Sequence, residues 1–274
     1  PDAGWDDRWP AQLHVIGKDI TRFHCVIWPA MLMAAELPLP ARVWAHGFVS
    51  LGGERFSKSA GVKLELGEAI DRFGPDAFRY FLLREVPFDG DGNFSWERFE
   101  ERYTADLANA LGNLASRTIA MLEKYCDGVV PTSASATVAA ADDADLAAYH
   151  AAMDGSRGYL LHDGLAALWR IVFRANALVA DRQPWALAKD PARRPELDET
   201  LGTLAGQLVR VAVALAPFMP AKAEELWVQL GGPRAGHPSA AGVPFATLAT
   251  LRPAGWPVAK GAGLFPRPEP RAAA

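Results

Sequence analysis

The chain has 274 residues, 50% of them hydrophobic and 22% charged, with 28 Lys and Arg against 32 Asp and Glu and a formal net charge of −4. That composition excludes a disordered chain and fits one large or two modest globular domains. The acidic balance excludes nucleic-acid binding through overall basic charge, so any anion must be met by a local surface.

No run of about 18 or more apolar residues occurs, and the first residues carry neither a basic nor an apolar leader region, which predicts no membrane contact and a cytoplasmic location. Cys25 and Cys126 are the two cysteines, too few for a disulfide framework or a Cys-rich zinc site. The chain does not start with Met and its first strong pattern begins abruptly near Leu13, which reads as the later part of a longer protein.

In chain order, Leu13 to Gly17, Ile20 to Ala35 and Val43 to Val49 read as strand, helix and strand, a right-handed βαβ unit of a parallel sheet. Pro29 should kink or end that helix. Gly52-Gly53 marks a tight turn, and Glu54 to Gly61 forms a charged loop of the kind that carries function. Two short helices follow, Leu66 to Phe73 and Pro75 to Arg84, the second begun by its proline. Val86 to Asn93 reads as a linker.

Beyond Ser95 the pattern turns helical. Phe99, Tyr103, Leu107, Leu111, Leu114, Thr118, Leu122 and Tyr125 predict one long amphipathic helix capped by Ser95. Pro131 to Ala141 reads as a mobile connection, with the acidic run Asp142, Asp143 and Asp145 as charge at a helix N-terminus. Leu165, Leu168, Trp169, Val172 and Phe173 predict a second helix. Leu197 to Phe218 predict a third, broken by Pro217 and Pro220. Trp169, Phe218 and Trp227 are assigned to the core of this helical bundle, and the chain beyond Leu230 to an irregular tail.

Arg55-Phe56-Ser57-Lys58-Ser59 places two cations and two hydroxyls in a glycine-flanked loop after a parallel strand, where ligands gather, and could neutralise charge developing on an anion. This stretch resembles the Lys-Met-Ser-Lys-Ser signature of class I aminoacyl-tRNA synthetases. Gly17-Lys18-Asp19-Ile20, Phe23-His24, Trp28-Pro29-Ala30, Asp106 to Leu114, Gln183 to Lys189 and Leu264 to Arg267 resemble the methionyl-tRNA synthetase family in particular, in order along nearly the whole chain.

The resemblance implies an α/β fold class first, the end of a Rossmann catalytic domain over 1–52, with the signature loop and connecting stem-contact helices over 53–95. An all-α anticodon-binding bundle over 96–232 and a tail over 233–274 follow. It implies ATP-dependent attachment of methionine to its tRNA through methionyl-adenylate, with ATP and Mg2+ as substrate and methionine and methionine-specific tRNA as partners. The family's His-Ile-Gly-His element, first nucleotide-binding half and zinc insertion precede the matched region. This segment is therefore expected to bind no zinc and to be inactive by itself.

Residue by residue, Lys58 matches the lysine that neutralises the departing pyrophosphate, with Ser57 and Ser59 as supporting donors. Two positions depart from the signature: Arg55 keeps the charge of its first lysine in a planar guanidinium, and Phe56 replaces its methionine. Gly17 and Asp19 match positions beside the ATP ribose, and Ile20, His24 and Trp28, four apart on one helical face, match the methionine pocket. Asn113 and Arg117, also four apart, match the anticodon-reading pair, and Trp185 the ring on which an anticodon base stacks. The rival readings are another class I synthetase for an apolar amino acid and a non-catalytic tRNA-binding module.

Overall fold

The computed structural model describes residues 4, 8–51, 54–55, 66–87, 89–233 and 240–266. Strand β1 (His14–Gly17) pairs in parallel with β2 (Val43–His46), Ile16 facing Ala45 and Gly17 facing His46. The connection passes through a 3-10 turn at Lys18–Ile20, a π turn at Phe23–Ile27 and helix α1 (Trp28–Ala34). Pro29 therefore neither ends nor breaks this stretch. Proline has no N–H to give the preceding turn, and the widened turn, in which Trp28 N–H bonds Phe23 C=O, carries the chain past it.

The second strand expected to run to Val49 is two strands in two sheets. β3 (Val49–Leu51) pairs antiparallel with β4 (Glu54–Arg55), Ser50 facing Arg55. Helices α2 (Leu66–Phe73) and α3 (Pro75–Glu85) match their expected spans. The expected linker ends in β5 (Gly92–Phe94), which pairs in parallel with β3. Three residues are too short for alternation to reveal, and Phe94 is held by burial against Phe81, ring centroids 5.2 Å apart.

Ser95 does cap the next helix, its Oγ accepting from Arg98 N–H at 3.2 Å. The long helix is continuous but not uniform: α4 (Trp96–Arg102) passes into a π segment, Tyr103–Gly112, before α5 (Asn113–Tyr125). The expected mobile connection is corrected from Ala136 on, where α6 (Ala136–Met153) begins, capped by Ser135. Its alanines hid it, since Ala has high helix propensity but leaves little periodic signal. The acidic run lies inside α6 rather than at its N-terminus. Asp142 is buried, receives hydrogen bonds from Gln207 and Arg174 and lies beside Arg210, while Asp145 takes Arg170 and Arg174.

Helices α7 (Leu161–Arg182), α8 (Pro184–Leu187), α9 (Arg194–Leu215) and α10 (Pro220–Gln229) complete the helical region, with α9 ending before Pro217 and α10 opening on Pro220. Trp169, Phe218 and Trp227 are buried as expected. Phe173 is not on the buried face. The tail has two 3-10 turns, Ala240–Gly242 and Phe245–Thr247, and sends Leu248, Val258, Leu264 and Phe265 into the core. Among the described residues no helix is long and apolar enough to cross a membrane.

Helix α3 joins the sheet end to the helical region. Tyr80 stacks on Trp169 with ring centroids 4.6 Å apart and donates to Asp106 at 2.8 Å. Arg79 donates to the carbonyls of Pro217 and Phe218, and Asp76 accepts from Lys222 N–H at 2.8 Å. A cation thus meets the carbonyls after α9 and a carboxylate meets the first turn of α10, the two charge placements that helix ends favour.

At the end of α3, Glu85 receives hydrogen bonds from Arg98 and Arg102. Burial pushes its carboxyl up, but the two guanidinium contacts together outweigh burial and hold it below its ordinary 4.5. The charge of Glu85 therefore stabilises the fold fully above that value and is lost as pH falls through the lower folded value. Glu85→Gln is expected to lower the urea midpoint at pH 7 and to converge with the parent in strong acid. A difference that stays constant across that range would contradict the assignment.

Candidate active site and nucleic-acid face

The first candidate site lies where β1 ends. Gly17 is needed for close approach: a Cβ there would sit 2.8 Å from Asp19 Oδ1, so the absent side chain lets the carboxylate fold back over the strand end. Asp19 itself is exposed. Lys18, between them, is drawn away to Asp91, its Nζ 2.6 and 2.7 Å from the two carboxylate oxygens. Asp91 Oδ1 also accepts from Phe48 N–H at 2.7 Å. One carboxylate thereby ties the strand end to the backbone that enters β3. Sequence reasoning missed Asp91 inside a stretch read as linker; the Gly-Asp-Gly around it was the available signal.

His24 and Trp28 come together as their spacing predicts, ring centroids 5.6 Å apart and both half-buried. Ile20 precedes them in the 3-10 turn and is 43% exposed. The structure adds two rings around Trp28: His14 at 4.9 Å and Trp9 at 5.8 Å, both edge-on. His24 Nδ1 and His14 Nε2 are buried with no hydrogen-bond partner among the described residues. Trp9 and His14 reach Trp28 across the fold, so periodicity could reveal neither of these two rings.

Of the signature loop, Arg55 is placed by its backbone in β4, directly after the β3 edge. Phe56, Ser57, Lys58 and Ser59 lie outside the described residues.

The second site is on the helical region. Asn113 opens α5 and Arg117 lies one turn on, both exposed. At the end of α7, Gln183 adopts a left-handed conformation (φ 44°) and turns the chain sharply; Pro184 then starts α8 and presents Trp185, 40% exposed. The Arg117 guanidinium carbon lies 5.6 Å from the centre of the Trp185 ring. A ring, a guanidinium and an amide on one open face can stack and hydrogen-bond an unpaired base. Cys126, at the far end of α5, is no nucleophile, because burial pushes its thiol up to about 11. Among the described residues no three His, Cys, Asp or Glu side chains gather as a metal site.

A family model described as tRNA synthetases class I (M) matches residues 2–119. Methionine–tRNA ligases of Caldanaerobacter subterraneus subsp. tengcongensis and Brucella melitensis are 45% and 47% identical, over 84% and 83% of this chain. That of Streptomyces coelicolor is 41% identical over 98% of it. Over nearly its whole length the chain is thus similar to methionyl-tRNA synthetases. Among solved structures, the Mycobacterium tuberculosis methionyl-tRNA synthetase in complex with methionyl-adenylate superposes with a TM-score of 0.86 at 37% identity over 97% of this chain. The free form of that enzyme gives a TM-score of 0.84. The chain spans 36% to 51% of the length of these three relatives and 52% of the solved structure's chain. As in the synthetase family, a Rossmann-like parallel pair is followed here by a helical region.

Proposed function

We propose that this chain supplies part of a methionine–tRNA ligase: the closing strands of the Rossmann domain, the signature loop with its connecting helices, and an anticodon-binding domain over 96–232. In the first half-reaction the methionine carboxylate attacks the α-phosphate of ATP and pyrophosphate leaves. In the second the methionyl group passes to the terminal adenosine of the tRNA. ATP enters with magnesium, which shields the phosphates.

Asp19, held over Gly17, accepts from the ATP ribose hydroxyls. His24 and Trp28, with Ile20 at their edge, line the methionine side chain, where sulfur packs well against aromatic edges. Lys58 neutralises charge on the departing pyrophosphate, with Arg55, Ser57 and Ser59 in support. The role of Lys18 is different. Its pairing with Asp91 makes it a strut between the nucleotide end of β1 and the strand that leads into the signature loop.

The observation that carries the RNA half of this reading is Arg117 lying over the exposed Trp185 ring, one turn from Asn113. A buried core tryptophan would not leave that face open. The test is binding of an RNA hairpin carrying the methionine anticodon loop, against a copy with altered anticodon. Trp185→Ala is expected to weaken the first by about 1–3 kcal/mol, as measured for base–aromatic stacking. The melting temperature should stay within a few degrees, since the ring is only partly buried. Equal affinity of the parent for both hairpins would sink the anticodon reading; a large loss of stability would make Trp185 a core residue.

A further inference from the structure

Phe173 is expected from its spacing to share the buried face of α7, yet it is 53% exposed while Leu165, Leu168, Trp169 and Val172 are buried. Between residues 96 and 230, the exposed large apolar side chains among the described residues are Val129, Phe173 and Trp185. Two of the three are aromatic rings, and both are carried by the continuous segment formed by α7 and α8. A single exposed apolar residue is ordinary. Its position is what gives Phe173 meaning.

Asn176, one turn beyond Phe173 and on the same side of α7, donates from Nδ2 to Ala110 C=O at 3.0 Å and to Val172 C=O at 3.0 Å. Ala110 is one turn before Asn113. This bond therefore pins the Phe173 side of α7 to the segment that delivers the Asn113 and Arg117 pair. Farther along the same seam, Trp185 meets Arg117. The contacts Asn176 to Ala110 and Trp185 to Arg117 advance along both segments in the same direction, so the two helices run parallel here. Phe173 then falls before the level of Ala110 and Trp185 lies beyond it. Asn113 lies between the levels of the two rings, with Arg117 at the Trp185 end. From Phe173 to Arg182 the helix rises by roughly 14 Å, room for several nucleotides between the platforms. More than half of Phe173 is accessible, which leaves its ring within reach of a ligand.

We propose that Phe173 is a second stacking platform for an unpaired base of the RNA loop, on the opposite side of Asn113 from Trp185. This rests on the reading of Asn113, Arg117 and Trp185 as an RNA face. Every base presents a π-face, so Phe173 adds affinity and fixes the path of the loop without choosing the base. It binds no phosphate and leaves the salt dependence of binding unchanged.

The test uses the full chain and the anticodon hairpin with 2-aminopurine placed at one loop position at a time. Stacking on a ring quenches this base, and the parent is expected to quench it at two separate positions. Phe173→Ala should restore fluorescence at one of them and weaken binding roughly 5- to 150-fold. Phe173→Trp should recover both, and Trp185→Ala should act at the other position. Quenching at only one position in the parent, lost in Trp185→Ala, overturns the proposal without involving any variant of Phe173. So does a Phe173→Ala protein that binds within twofold of the parent while Trp185→Ala is weakened; in either case the anticodon reading stands. If neither substitution changes binding, both the proposal and that reading fail.

Discussion

Asp142→Ala is expected to lower the free energy of unfolding by about 3–5 kcal/mol, the range for removing one partner of a buried ion pair. The carboxylate is 1% exposed and sits among Arg174, Gln207 and Arg210, the last itself 3% exposed. Removing it leaves Gln207 Nε2 without its acceptor and Arg210 with Asp143 at 3.1 Å as its remaining carboxylate, beside the carbonyls of Ala139 and Ala249. Burial is the largest influence on the Asp142 carboxyl and holds it above its ordinary 3.8, against the pull of Gln207, Arg174 and Arg210. The folded state therefore binds this proton more tightly than the unfolded chain, so the contribution of Asp142 is greatest below 3.8 and declines as pH rises through the raised value. This is the reverse of Glu85. Urea unfolding at pH 7 measures the first effect, and a loss below about 1 kcal/mol would show that these ion pairs and hydrogen bonds do not hold α6 to α7 and α9.

The second large effect concerns chemistry. Lys58→Ala is expected to lower methionine-dependent pyrophosphate exchange by roughly 10²–10³, the range for losing one preorganised charge-stabilising donor. The assay is made in a chain of the relatives' full length, with methionine affinity measured alongside. Methionine binding should hardly change, because the charge is needed only as pyrophosphate departs. Lys58→Arg should recover part of the rate, since a guanidinium keeps the charge but spreads it over a plane. Retention of activity within tenfold in Lys58→Ala would remove this residue from the catalytic machinery.

The elements that could be read from sequence are those with strong local signals. Pro75 at a helix start, Ser95 as a cap and the leucine ladder of α9 each depend on neighbours a few residues away, and each lies where its pattern predicts. Weak local signals failed. The alanine-rich start of α6 lacks an apolar stripe, β5 is three residues long, and a π segment has a period that a 3.6-residue template cannot distinguish.

The candidate sites divide in the same way. Asn113 with Arg117 and His24 with Trp28 are neighbours along one helical stretch, so spacing alone predicts that each pair meets. The similarity to methionyl-tRNA synthetases was itself legible in short motifs that keep their order along the chain. Tertiary structure alone decided that Lys18 turns to Asp91, that His14 and Trp9 close around Trp28, that Asp142 lies inside a helix among arginines, and that Phe173 faces outward. Each of these depends on which distant segment supplies the facing atoms. Periodicity tells which side of a helix is apolar, whereas the packing of its neighbours decides how much of that side is covered.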